Sequence, residues 1–280
     1  MPCTVTDPLT GISDSVTELG SWAKSWYDGL IVSVQHRPTK LGAFTYSYNI
    51  SYTLSKTLDY SDDDQLANNN VDEQVDLAEG ISDLRLEKGY AATDERHRLT
   101  LYGNIQMPYG FSLAPIYTFG SGVPADTYLP EINSRLPILS RNALGREIKN
   151  SDQLNQVINE WNSLPACPAP YPCLDGSPLQ NVPAGINFFS PFSSLDMRLT
   201  KDFRFGEKMK LSLIAEGFNM FNATNVRGST NANFSGRFID LSPVGSGVSA
   251  ANFYSAQSTA GGFFGSGGAR AFQFAVRFAF

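Results

Sequence analysis

From Phe44 to Leu54 the chain alternates without a break. Phe44, Tyr46, Tyr48, Ile50, Tyr52 and Leu54 are large and apolar, while Thr45, Ser47, Asn49, Ser51 and Thr53 fill the positions between them. Successive side chains of a β-strand point to opposite faces, so this stretch writes one apolar face and one polar face. A strand in a soluble sheet is usually about 5–6 residues long. A strand crossing a bilayer at a tilt needs about 9–11. The length and the aromatic row fit the second case.

The same alternation returns at Leu30, Val32 and Val34; at Leu99, Leu101, Ile105 and Met107; and at Phe111, Leu113, Tyr117 and Phe119. It continues at Leu195, Met197, Leu199 and Phe203, at Met209, Leu211, Leu213 and Ala215, and finally at Phe272, Phe274, Val276, Phe278 and Phe280. This pattern predicts about seven strands. Their connections alternate in length. Short turns are expected at Arg37–Lys40, Pro108–Gly110 and Phe205–Glu207, each with Pro or Gly chemistry. Polar segments from about Asp59 to Arg96, Ser121 to Pro191 and Asn222 to Arg270 are far longer than ordinary loops. Outer-membrane barrels have short periplasmic turns and long external loops, so the alternation assigns the two sides and puts the C-terminus in the periplasm. The expected fold is all-β: an antiparallel transmembrane outer-membrane β-barrel segment. Within the long middle segment, Leu154, Val157, Ile158 and Trp161 predict a short helix over Ser151–Trp161.

Charged residues make up 17% of the chain and aromatics 12%, which suits strands and turns better than helices. No window approaches the roughly 18 consecutive apolar residues of a membrane-spanning helix. The net charge is −6 and no basic stripe is present, so nucleic acid is not an expected partner. The residues after Met1 have neither the basic start nor the apolar core of a signal peptide.

Several ordered motifs resemble the later strands of TonB-dependent receptors, in particular the Oar-like kind with a carboxypeptidase-regulatory-like domain. They are Tyr27–Leu30 leading to His36-Arg37, Tyr46-Ser47-Tyr48 to Lys56 and Asp59, and Asp94–Leu99 with Pro108–Phe111 and Gly120–Pro124. Leu195–Lys201, Ala215–Asn222 and the ending from Arg270 to Phe280 complete them. The resemblance spans about Trp26 to Phe280. It implies a barrel of roughly 22 strands enclosing a plug and energised through TonB. Signal peptide, TonB-contacting segment and plug are not among these residues, so the chain is expected to be a C-terminal fragment. Residues 1–25 would then end an upstream external loop, and residues 26–280 would form barrel. The ending Phe272, Phe274, Val276, Phe278 and Phe280 resembles the signal by which the barrel assembly machinery recognises a last strand.

No catalysis is expected, and no metal or cofactor. The two histidines, His36 and His97, stand apart beside expected strand ends, too few for a metal site or a triad. Asp62–Asp64 and Asp72-Glu73 lack calcium-loop spacing and read as a solvated acidic loop. The glycines at Gly245–Gly247 and Gly262–Gly268 precede a strand, which makes them loop residues. Asp196, Arg198 and Glu216 fall on inward positions of neighbouring strands, where they would form a luminal polar network against the plug or contact a passing substrate. Cys167 and Cys173 bracket Pro168–Pro172, and a disulfide would close that loop in an oxidising compartment if the proline-stiffened backbone permits the geometry. Tyr27, Tyr60, Tyr90, Tyr109 and Phe221 are candidates for the interfacial aromatic girdles.

The leading expectation is part of an outer-membrane transporter for an unidentified external ligand. Its partners would be outer-membrane lipid, the assembly machinery and, in the full-length protein, plug and TonB. The alternative is a structural or adhesion-type outer-membrane barrel without transport. A secreted soluble sandwich would leave the aromatic faces of several strands exposed to water.

Overall fold

The computed structural model describes residues 3–6, 13–16, 24–60, 88–128, 136, 138–166, 174, 177–188, 191–206, 208–229, 238–241, 256–259 and 267–280. Its main sheet is an antiparallel meander. Strands β3 (Ser25–Leu41), β4 (Phe44–Asp59), β6 (His97–Met107), β7 (Phe111–Gly120), β9 (Phe192–Phe205), β10 (Met209–Phe218) and β14 (Ala271–Ala279) lie side by side in chain order. The two-residue β5 (Gly89–Tyr90) adds to the end of β4. All seven expected strands are present. Short ribbons pair β1 (Cys3–Thr6) with β2 (Ser13–Val16), β8 (Asp126–Tyr128) with β12 (Phe238–Asp240), and β11 (Val226–Ser229) with β13 (Ala256–Thr259).

Register carries the alternation across the whole sheet. Leu99 lies opposite Tyr52 and Phe119; Leu101 lies opposite Ile50 and Tyr117; Leu199 joins Leu113 to Ala215; and Leu213 faces Val276. On the other face Thr100 joins Ser51 to Thr118, Arg198 lies opposite Glu216, and Ser212 joins Asp202 to Arg277. One face is predominantly apolar and the other predominantly polar, with Ile31, Tyr102, Ile116 and Ile214 interspersed among its polar residues. At about 3.4 Å per residue, β6 extends about 34 Å, or about 25 Å across a membrane when tilted by about 40°. That matches the apolar band of an outer-membrane barrel.

The turns at one end are tight. Gly42 and Ala43 connect Leu41 to its partner Phe44, and Gly42 takes φ +61°, which a two-residue hairpin favours. The turn expected at Arg37–Lys40 is therefore displaced. The strand runs through those residues, and pairing jumps from His36–Tyr48 to Thr39–Tyr46. A bulge there leaves Pro38, which has no N–H to give, outside the ladder. The short turn expected at Pro108–Gly110 is present as a 3-10 turn, with φ +63° at Tyr109 and +79° at Gly110. Gly206 turns β9 into β10.

The long connections lie at the opposite end, and the one from Ser121 to Pro191 is more than a polar loop. Its helix α1 (Ser151–Asn162) presents Leu154, Ile158 and Trp161 along one side, all buried with Leu136, Leu144 and Leu179. Asn150 caps the helix by accepting from the Gln153 N–H at 3.0 Å, and the Gln153 side chain accepts from Lys149 N–H at 2.7 Å. Asn155 and Asn162 each exchange two hydrogen bonds with the backbone of Val182 and Leu179. Leu241, just after β12, completes this core, so the third long connection packs into the second.

Candidate functional site

The polar face of the sheet holds the ionic groups that could meet anything inside a barrel. β9 and β10 are in direct register at Arg198 and Glu216, which places the two side chains directly opposite each other. The Arg198 guanidinium donates to Glu216 Oε1 at 2.6 Å. The arginine remains more than half exposed, so its outer N–H groups face open space. Asp196 does not join this pair. Its Oδ1 accepts from Ser194 Oγ at 2.9 Å and from Asn219 N–H at 2.8 Å, and it anchors the start of a loop.

That loop accounts for the second half of the Ala215–Asn222 motif. Asn219 sits at φ +46° and donates its amide to the carbonyls of Ala223 and Gly268 at 2.9 and 2.6 Å. Asn225 repeats the device with Ser193 and Gly267. Together they tie the external ends of β9, β10 and β14 into one rim.

A second ionic group on the polar face was not singled out from the sequence. Asp202 accepts from Ser212 Oγ at 2.6 Å and pairs with Lys210 at 2.8 Å. Its strand position, six residues after Asp196 on β9, was the available signal. A third ionic group lies at the external rim. Asp94, fully buried, accepts from Thr57 N–H at 2.7 Å, from Arg146 Nε at 2.6 Å and from Arg96 Nε at 3.3 Å. Arg146 also donates to the carbonyls of Asp94 and Gly122. A buried carboxylate needs such pairing, since an unpaired one costs several kcal/mol, of order 3–5. This cluster pins the loop body to the wall. Arg141 adds an ion pair to Asp59 beside it.

The apolar face ends in aromatic and basic rims. Near the short turns, His36 stacks between Tyr46 and Tyr48 at 4.9 and 5.0 Å. It lies within β3 instead of at a strand end, because the strand continues past it. Lys201 lies over the rings of Phe111 and Phe203. At the external end, Trp26 packs edge-on against Tyr60 at 5.1 Å, and His97 Nδ1 meets the Tyr52 hydroxyl at 2.8 Å. Tyr27 departs from its expected place. Its register partner is Thr57, so its side chain belongs to the polar face, and Trp26 takes the girdle position. Tyr90 and Phe221 do reach the rim, the latter edge-on to Tyr117 at 6.3 Å, and Tyr109 is fully exposed at its turn.

The last strand presents Phe272, Phe274, Val276 and Phe278 on the apolar face, with Phe274 78% exposed, and Phe280 follows it. Cys167 and Cys173, Asp62–Asp64, Asp72-Glu73 and Gly245–Gly247 lie outside the described residues, as does most of Gly262–Gly268. Among the described residues no group of three metal-ligating side chains occurs.

A meander with an apolar outer face, a polar inner face, tight turns at one end and large loops at the other defines an outer-membrane β-barrel protein. The outer membrane beta barrel domain family matches residues 5–273, and the chain belongs to that family. It is accordingly an outer-membrane protein. Comparison with curated proteins and with solved structures gave no match.

Proposed function

We propose that the chain supplies barrel wall and external loops to a TonB-dependent transporter of the Oar-like kind, which takes up an unidentified ligand. The observation that carries this reading is the polar face. Arg198–Glu216, Asp202–Lys210 and Arg277 line one side of a lipid-facing wall, the arrangement that a lumen housing a polar plug requires. The edges of the sheet support it further. Among the described residues β3 and β14 each have a partner on one side only, and an open edge is not tolerated in lipid, so further strands are needed to close the wall. The ordered motifs from Trp26 to Phe280 add the resemblance to this kind of receptor. In this reading plug and TonB contacts belong to the full-length protein, Phe272–Phe280 serves the assembly machinery, and the chain performs no catalysis.

The test is the intact mass of the polypeptide recovered from outer membranes with an antibody to the α1 loop. A chain much longer than 280 residues, carrying a plug and dependent on TonB for ligand uptake, is the expected result. A native polypeptide of 280 residues would remove transport. It would favour the adhesion-type reading, which the separately cored loop body also suits.

A further inference from the structure

Between the loop body and the external end of β6 lies a cavity of about 510 Å³, whose lining includes Tyr90, Arg96, His97, Ser121, Arg146 and Lys149. Among the described residues its lining holds three cations, Arg96, Arg146 and Lys149, and no carboxylate. Asp94 sits behind the wall, fully buried and already held by Arg96 and Arg146. The exposed Lys149 ammonium makes no ion pair or hydrogen bond among the described residues.

The position of the cavity selects its occupant. His97 is in register with Leu54, and Tyr90 with Leu58, so both belong to the apolar face that runs down through Tyr52, Leu99 and Leu101. Lys56, on the same face, lies 5.5 Å from the Tyr90 ring, and Arg96 lies 5.3 Å from it. Lys88 covers Trp26 at 4.2 Å. Among the described residues one acidic side chain, Asp28, lies on this face, opposite Lys56. Cations held over aromatic rings at the level where an apolar band ends are placed for charged lipid headgroups, not for a solute inside the lumen.

We propose that this cavity is a headgroup site on the outside of the barrel that takes a phosphate group of an outer-leaflet lipid, while the acyl chains lie along the Leu99–Leu101 row. Lys149, Arg96 and His97 supply the donors. Arg146, held by Asp94, fixes the floor. The site is independent of whether the protein transports.

The test uses the protein purified from outer membranes in a zwitterionic detergent. The probes are a fluorescent bisphosphorylated diglucosamine lipid and its dephosphorylated counterpart. The phosphorylated lipid is expected to bind at least about tenfold more tightly, the scale of one charge-assisted hydrogen bond. Lys149→Gln, a change at an exposed side chain, is expected to remove most of that preference, and Arg96→Gln to remove it too. Unchanged heat-dependent gel migration shows that each variant still folds. Equal binding of the two lipids, or an unaltered preference in Lys149→Gln, would overturn the proposal. So would binding of inorganic phosphate without lipid at the same Lys149-dependent affinity, which would make the cavity a site for soluble anions.

Discussion

In the loop body, Trp161, Leu154 and Ile158 are at most 1% exposed. In the wall, Phe274 and Val276 are 78% and 70% exposed. The same kinds of side chain face opposite ways within one chain because the two regions meet different solvents. The loop body stands in water and must hide its apolar surface in a core of its own. The wall stands in hydrocarbon, where exposed Phe, Leu and Val cost nothing and the polar residues must turn inward. Polar contacts follow the same division. The loop body is stitched by backbone-capturing asparagines such as Asn155 and Asn162, whereas the wall pairs its charges across neighbouring strands.

The sharpest way to break this contrast is to remove the centre of the loop core. Trp161→Ala should cost the loop body about 3–5 kcal/mol, as for other buried aromatics. Limited proteolysis between β8 and β9 should speed up markedly, while the wall keeps its heat-dependent migration. Joint loss of both would show that the two regions fold as one unit.

A smaller effect separates the two faces of the wall. Leu101→Arg places a cation in the middle of the apolar row and should lower folding stability in lipid by about 2–4 kcal/mol. Thr100→Arg, one position away on the polar face, should change it by less than about 1 kcal/mol. Urea titration of refolding into vesicles reads both, and equal costs would refute the facial assignment.

The smallest effect belongs to the pair Arg198–Glu216. Its arginine is solvent-exposed, so Arg198→Ala should alter stability by only about 0–1 kcal/mol. Conductance or ligand flux through the assembled barrel would respond more than stability does, if the pair borders the lumen. A large stability loss would mean that the pair holds the wall together instead.

Much of this was legible along the chain. Alternation at Phe44–Leu54 and its six repetitions determined the strands and their faces, because a period of two is a purely local property of extended backbone. The helix Ser151–Trp161 was legible for the same reason, with its own period. The turn at Gly42-Ala43 was not, since Pro38 is an equally strong local signal and only the pairing of His36 and Thr39 with β4 shows that it sits in a bulge.

What the tertiary structure alone decided are the meetings of residues far apart in sequence. Asp94 finds Arg146 across 52 positions, Asn219 finds Gly268 across 49, and Leu241 enters the core of α1. Asp94 and Asn219 stand in motifs that the sequence singles out, but nothing local says which distant residue any of the three meets. Their roles arise only when strand register brings the long connections together at one rim, where burial makes each polar group find a partner.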